Sequence, residues 1–154
     1  MTPLSIKLLF AISLLSAPLS AVPQTGRPNA GLPVARLAIG SHALTAEVAA
    51  TEEHRRIGLM YRFSIPPDQG MLFVHDAPRP LSFWMRNTSI PLSIAFIDAN
   101  GTIINVEDMA PHDERLTWSA APALYALEMR KGWFAQRGIG PGAQVKGLPP
   151  AAPR

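Results

Sequence analysis

The stretch Leu92-Ser93-Ile94-Ala95-Phe96-Ile97, then Asp98-Ala99-Asn100-Gly101, then Thr102-Ile103-Ile104-Asn105-Val106-Glu107 decides the fold class. Two apolar, β-prone runs flank four residues that favour turns. Asn-Gly accepts the positive φ values a tight hairpin needs, so the runs are expected to pair antiparallel.

Working toward the N-terminus, Leu81-Ser82-Phe83-Trp84-Met85 reads as another strand, separated from Leu92 by the polar turn Arg86-Asn87-Thr88-Ser89-Ile90-Pro91. Met71-Leu72-Phe73-Val74 is a continuous apolar run, as expected of a strand covered on both faces, and His75 to Pro80, with two prolines, reads as a loop. Val34–Ile39 and His42–Ala49 alternate around Gly40-Ser41, a hairpin signal. Between them and Met71 the period changes. Thr51 can cap a helix whose first turn holds Glu52 and Glu53, with an apolar stripe of Ile57, Met60 and Tyr61. Gly58 in its middle implies that another backbone passes close by.

Toward the C-terminus, Ala110–Pro122 reads as a loop, Ala123–Met129 as a strand, Lys131–Arg137 as a short helix stopped at Gly138, and Gln144–Lys146 as a closing strand. The expected class is α+β, mostly β: a compact antiparallel β-barrel-like curled sheet of about seven or eight short strands. One main helix is expected over about 51–62 and a short C-terminal one over about 131–137.

The ends define the organisation. Lys7 precedes the apolar run Leu8–Leu15, and Ser16-Ala17-Pro18-Leu19-Ser20-Ala21 follows, which is the grammar of a signal peptide over 1–21. Export to the periplasm or beyond is the expected localisation. Residues 22–33 read as a disordered leader, 34–147 as a single β-rich domain and 148–154 as a flexible tail. With 47% hydrophobic and 16% charged residues the chain is too apolar for disorder, and no apolar run reaches the ~18 residues of a membrane span. Zero cysteines exclude disulfides, zinc-thiolate sites and a thiol nucleophile. The net charge of +3 is spread over single arginines without a basic groove, which argues against nucleic acid as a partner.

Three ordered segments, Gly58-Leu59-Met60-Tyr61-Arg62, Gly70-Met71-Leu72-Phe73 and Phe83-Trp84-Met85-Arg86-Asn87-Thr88 with Ile90-Pro91-Leu92, resemble the family called domain of unknown function 192. The resemblance continues through Ala95-Phe96-Ile97-Asp98, Ala126-Leu127-Glu128 and Gly132-Trp133. It implies small, often exported bacterial proteins with a compact β-rich fold and no established activity. Where the family commonly has Asp after Pro-Leu, this chain has Ser93, which fits a structural hydrogen-bond acceptor better than a metal ligand or base.

Candidate chemistry falls into three classes. Trp84, Arg86, Asn87 and Thr88 place an aromatic face, a guanidinium, an amide and a hydroxyl in one loop, suited to a saccharide or small carboxylate, or to a cell-envelope partner. Glu128 lies in an apolar strand on the same face as Leu124 and Ala126. It either pairs with Arg55, Arg62 or Arg86 or sits at the mouth of a cavity. In a cleft it is the candidate for a hydrolase-type reaction, although no recognisable catalytic motif accompanies it. The third class is a Cu(I) carrier, with Met60, Met71, His75 and Met85 as soft ligands. No resident cofactor is expected.

Overall fold

The computed structural model describes residues 26–153; the expected signal peptide over 1–21 lies outside the described residues. Nine strands and one α-helix follow in the order β1 (Val34–Ile39), β2 (His42–Ala49), α1 (Glu52–Ile57), β3 (Gln69–Arg79), β4 (Ser82–Phe83), β5 (Leu92–Ile97), β6 (Ile103–Met109), β7 (Thr117–Trp118), β8 (Ala123–Arg130) and β9 (Val145–Lys146). Seven strands form one curled sheet in the order β6-β5-β8-β3-β2-β1-β9, and β4 pairs with β7 in a separate ribbon. The fold is mostly β, with little helix.

Both predicted hairpins form. Ile39 pairs with His42 across Gly40 and Ser41, with Gly40 at φ 58, the pattern of a two-residue turn with glycine first. The β5–β6 turn is one residue longer than a tight Asn-Gly hairpin, because only Gly101 adopts a positive φ, 82. Asp98 fills the difference: its Oδ1 accepts from the backbone N–H of Asn100 at 2.8 Å and of Thr102 at 2.9 Å.

The β2–β3 pair is parallel, with Ala46 beside Gly70 and Ala49 beside Phe73, in a sheet otherwise paired antiparallel. Parallel neighbours need a crossover, and α1 lies in it. The helix is shorter than the expected 51–62. It ends at Gly58, whose φ 50 and ψ −130 leave helical space. The predicted loop over His75–Pro80 is mostly strand, since β3 runs on to Arg79. Pro78 is tolerated there because the β3–β8 register breaks between Val74 and Arg79. The expected helix over Lys131–Arg137 reduces to a 3-10 turn at Ala135–Arg137, closed by Gly138 at φ 64.

Period-2 alternation divides the core in two. Leu72, Val74, Ala95, Ile97, Leu127 and Met129 face one cluster, joined by Leu37, Leu44, Ile103 and Val145, so that all seven strands of the sheet contribute. This is the interior of the curl. Its two edge strands are tied at one end, where Thr102 bridges Gln144 and Val145 N–H donates to the Gly101 carbonyl at 2.8 Å. The opposite face carries Met71, Phe73, Leu92, Ile94, Phe96 and Ala126 in a second cluster, covered by Leu59, Leu81 and Met85. Leu124 packs in the first cluster and Ala123 in the second, so β8 exchanges faces near the β3 bulge.

The chain on either side of the domain is docked on it. Asn29 is buried and its amide donates to the carbonyls of His54 and Gly58, each at 3.0 Å, while Leu32 enters the second cluster. After β9, the Pro149 carbonyl accepts from the Tyr125 hydroxyl at 2.7 Å and Ala152 packs in the first cluster.

Ser93 is fully buried; its hydroxyl donates to Asp108 on β6 and accepts from the Gly132 N–H at 2.9 Å. This is the acceptor role its position implies. Ser93→Ala leaves a buried N–H unpaired and is expected to cost about 1–3 kcal/mol in urea unfolding. A loss below about 0.5 kcal/mol would show that water replaces the hydroxyl.

Candidate functional site

The second face of the sheet is not fully covered. Thr51 caps α1 by accepting from the His54 N–H at 3.2 Å, and the helix then terminates directly over β3. A Cβ on Gly58 would lie 3.2 Å from the Phe73 ring, so the close approach expected at this glycine is to a side chain and not to a backbone. On the other flank, Phe83 of β4 turns inward, its ring 4.8 Å from Phe73 and 5.8 Å from Phe96. Between these two flanks lies a cavity of about 320 Å³. That volume is at the lower end for small-molecule sites.

Glu128 is in its floor. It pairs across the sheet with Met71 on β3 and Ile94 on β5, on the apolar second face. The sequence offered Arg55, Arg62 and Arg86 as counter-charges, but each is engaged elsewhere. Arg55 donates to the carbonyls of Ala50 and Val74, Arg62 pairs with Glu47, and Arg86 lies 3.6 Å from Glu114. Among the described residues no ion pair includes Glu128. Burial alone pushes its carboxyl up to about 8, so it is protonated and neutral at pH 7. His75, on the same face of β3 as Met71 and Phe73, also lines the cavity. Burial, and then the charges of Arg55 and Arg79, lower it to about 4, which leaves a neutral imidazole whose Nε2 is buried without a hydrogen-bond partner.

Arg55 and Arg56 of α1 line the cavity together with Glu52. The site therefore has an apolar, aromatic wall, a neutral carboxyl that can both donate and accept, a neutral imidazole and a net positive helix flank. Two hollows of similar volume elsewhere, one by Phe63 and Lys131 and one by Arg36 and Gln69, hold no buried ionisable side chain.

Of the five residues singled out from sequence, Trp84, Thr88 and Glu128 line the cavity. Arg86 and Asn87 do not. The Arg86 guanidinium lies 5.5 Å from the Trp84 ring centroid, outside the cavity, and Asn87 shapes the loop at φ 53 while its amide donates to the Tyr61 hydroxyl at 3.0 Å. Of the four soft-metal candidates, Met60 and His75 line the cavity, whereas Met71 and Met85 are enclosed in the second cluster. Among the described residues no three His, Asp or Glu side chains gather as a metal-binding group. Sequence reasoning missed Arg56, Phe73 and Phe83. Strand parity carried a signal for Phe73, which alternates with the interior residues Leu72 and Val74.

Residues 35–147 match the family described as DUF192, uncharacterized ACR. Solved structures share the fold. A Sinorhizobium meliloti 1021 protein, named as a proposed transcription regulator, is 36% identical over 77% of this chain and 97% of its own, with a TM-score of 0.75. A Novosphingobium aromaticivorans DSM 12444 protein of unknown function is 34% identical over 78% of this chain and 89% of its own, with a TM-score of 0.74. No curated protein is significantly similar. With its ordered motifs lying inside the matched span and its fold shared at this identity, the chain belongs to the DUF192 family.

Proposed function

We propose that the protein binds a small molecule with an apolar or ring-shaped body and an anionic or hydroxyl-rich end in the cavity over Glu128. The observation that carries this reading is Glu128 itself: a carboxyl buried without a counter-ion in the floor of an accessible apolar cavity, where burial favours its neutral form. A neutral carboxyl offers both a donor and an acceptor, and it does not repel an anion. Arg56, exposed at the helix flank, supplies the long-range attraction. Phe83 and Trp84 supply the apolar contact surface.

The test is the thermal midpoint of the chain from Val22 onward across small carboxylates and monosaccharides. A compound at 100 times its dissociation constant adds about 2.7 kcal/mol, a rise of several degrees for a domain of this size. Arg56→Glu is expected to remove the rise with carboxylates and to leave the unliganded midpoint nearly unchanged. Identical rises in both proteins would place the ligand away from this cavity.

Export completes the reading. The Leu8–Leu15 run and the small residues up to Ala21 support a signal peptide, which puts the cavity in the periplasm or outside the cell. The intact mass of protein recovered from the periplasm of an expressing bacterium should begin at Val22; an uncleaved cytoplasmic product would refute export.

A further inference from the structure

We infer that Trp84 and Trp118 form a stacking platform beside the cavity and extend it into a row of subsites for an acidic oligosaccharide. The inference rests on the reading of the cavity as a binding site and names the class of its ligand.

The platform is built by the β4–β7 ribbon. Phe83 turns toward the sheet and packs against Phe73 and Phe96, and Thr117 is its cross-strand partner. Ser82 and Trp118, the other pair of the ribbon, face solvent. Trp84, two residues beyond Ser82, shows 42% of its surface and Trp118 shows 53%, although indoles are ordinarily well buried. Trp118 stands directly opposite Ser82, a pairing that puts Cβ atoms about 5 Å apart, and Trp84 follows two residues after Ser82, just past the end of β4, so one short ribbon carries both indoles. Among the described residues neither indole packs on another aromatic ring.

The chemistry selects the occupant. An indole face carries negative potential and attracts the C–H face of a pyranose ring. Ser82, the cross-strand partner of Trp118, lines the cavity with Phe83 and Trp84, so the ribbon that carries the indoles also forms part of the cavity wall. Arg55 and Arg56 outnumber Glu52 on the helix flank, while Glu128 and His75 are neutral, so the cavity end favours a carboxylate. A sugar acid at the cavity, followed by further sugars across the indoles, satisfies both surfaces. Arg86, 5.5 Å from the Trp84 ring centroid and paired with Glu114, adds hydrogen-bonding groups but no net charge beside the platform.

The experiment is calorimetric titration of the chain from Val22 onward with galacturonic acid, tetragalacturonic acid and neutral maltotetraose. The acidic tetramer is expected to bind at least about tenfold tighter than the monomer, and the neutral tetramer more weakly than either. Trp118→Ala should remove the tetramer's advantage and leave the monomer's affinity unchanged, because Trp118 lies outside the cavity lining; Trp118→Phe should restore most of it. Equal affinities for monomer and acidic tetramer, or no effect of Trp118→Ala, would overturn the platform. Binding of small carboxylates without any acidic sugar would overturn the platform and leave the cavity reading standing, whereas no binding of any probe would overturn both. A dimer in solution that Trp118→Ala converts to monomer would assign the indoles to a second copy of the chain and likewise overturn the inference.

Discussion

Glu128→Gln is expected to stabilise the folded protein by about 3 kcal/mol at pH 7 and to change nothing at pH 4. In the unfolded chain this carboxyl titrates near its ordinary 4.5, and in the folded protein burial raises it to about 8. Between these values folding must take up a proton, so stability falls by about 1.4 kcal/mol for each pH unit of rise and levels off above about 8. Below 4.5 both states are protonated and the group contributes no slope. A neutral amide of the same shape removes the dependence altogether. His75 acts with the opposite sign: lowered from 6.5 to about 4, it makes stability fall as pH drops through that window. The two slopes oppose each other between 4.5 and 6.5, and only the Glu128 slope remains from 6.5 to 8. Urea unfolding at pH 4, 6 and 8 reads this directly. The wild type should lose stability above pH 6.5 and the variant should not. Parallel curves with a constant offset would mean that Glu128 is ionised and paired. A side chain that costs stability at neutral pH, where an amide would not, is expected where function sets the residue, and this links the stability profile to the cavity.

Strand content and hairpins were legible because they depend on local rules. Alternation around Gly40-Ser41, and an apolar run ending in Asp98-Ala99-Asn100-Gly101, specify a chain reversal whatever the rest of the molecule does. The parallel β2–β3 pair was not legible, because the run Met71–Val74 reports burial on both faces and says nothing of its neighbour's direction. The early end of α1 was obscured by the apolar stripe of Ile57, Met60 and Tyr61, which runs past Gly58, the glycine whose positive φ of 50 stops the helix. The site divides in the same way. Trp84, Thr88 and Glu128 carry chemistry that stands out in any context, an aromatic and a hydroxyl in one loop and an acid in an apolar strand. Arg86 and Asn87 were grouped with them because they adjoin in sequence, yet a turn reverses direction between neighbours and points them away from the cavity. Arg56 and His75 reach it only through the crossover helix and the extension of β3, both tertiary outcomes.

Gly70→Ala is expected to be among the most damaging small substitutions in the chain, with a loss of about 3 kcal/mol or more. Gly70 stands opposite Met129 where β3 meets β8, and a Cβ there would overlap both the Glu128 carbonyl oxygen and the Met129 sulfur. The sulfur ends a flexible side chain and can move. The carbonyl belongs to the central ladder of the sheet, between β3 and β5, and can move only if hydrogen bonds on one side of β8 lengthen. Gly140→Ala is the control, since nothing lies within 4 Å of its added methyl and its backbone is not in the left-handed region; it should stay within about 0.5 kcal/mol of wild type. Adding Met129→Ala to Gly70→Ala removes the sulfur overlap and keeps the backbone one, so the double variant should recover little. Equal denaturant midpoints for the two glycine variants would show that the strands can part at no cost. Because the displaced carbonyl is that of Glu128, the same substitution shifts the floor of the cavity. Any Gly70→Ala protein that still folds should therefore bind small carboxylates more weakly than Gly140→Ala does, which ties the close approach of two central strands to the position of the carboxyl they present.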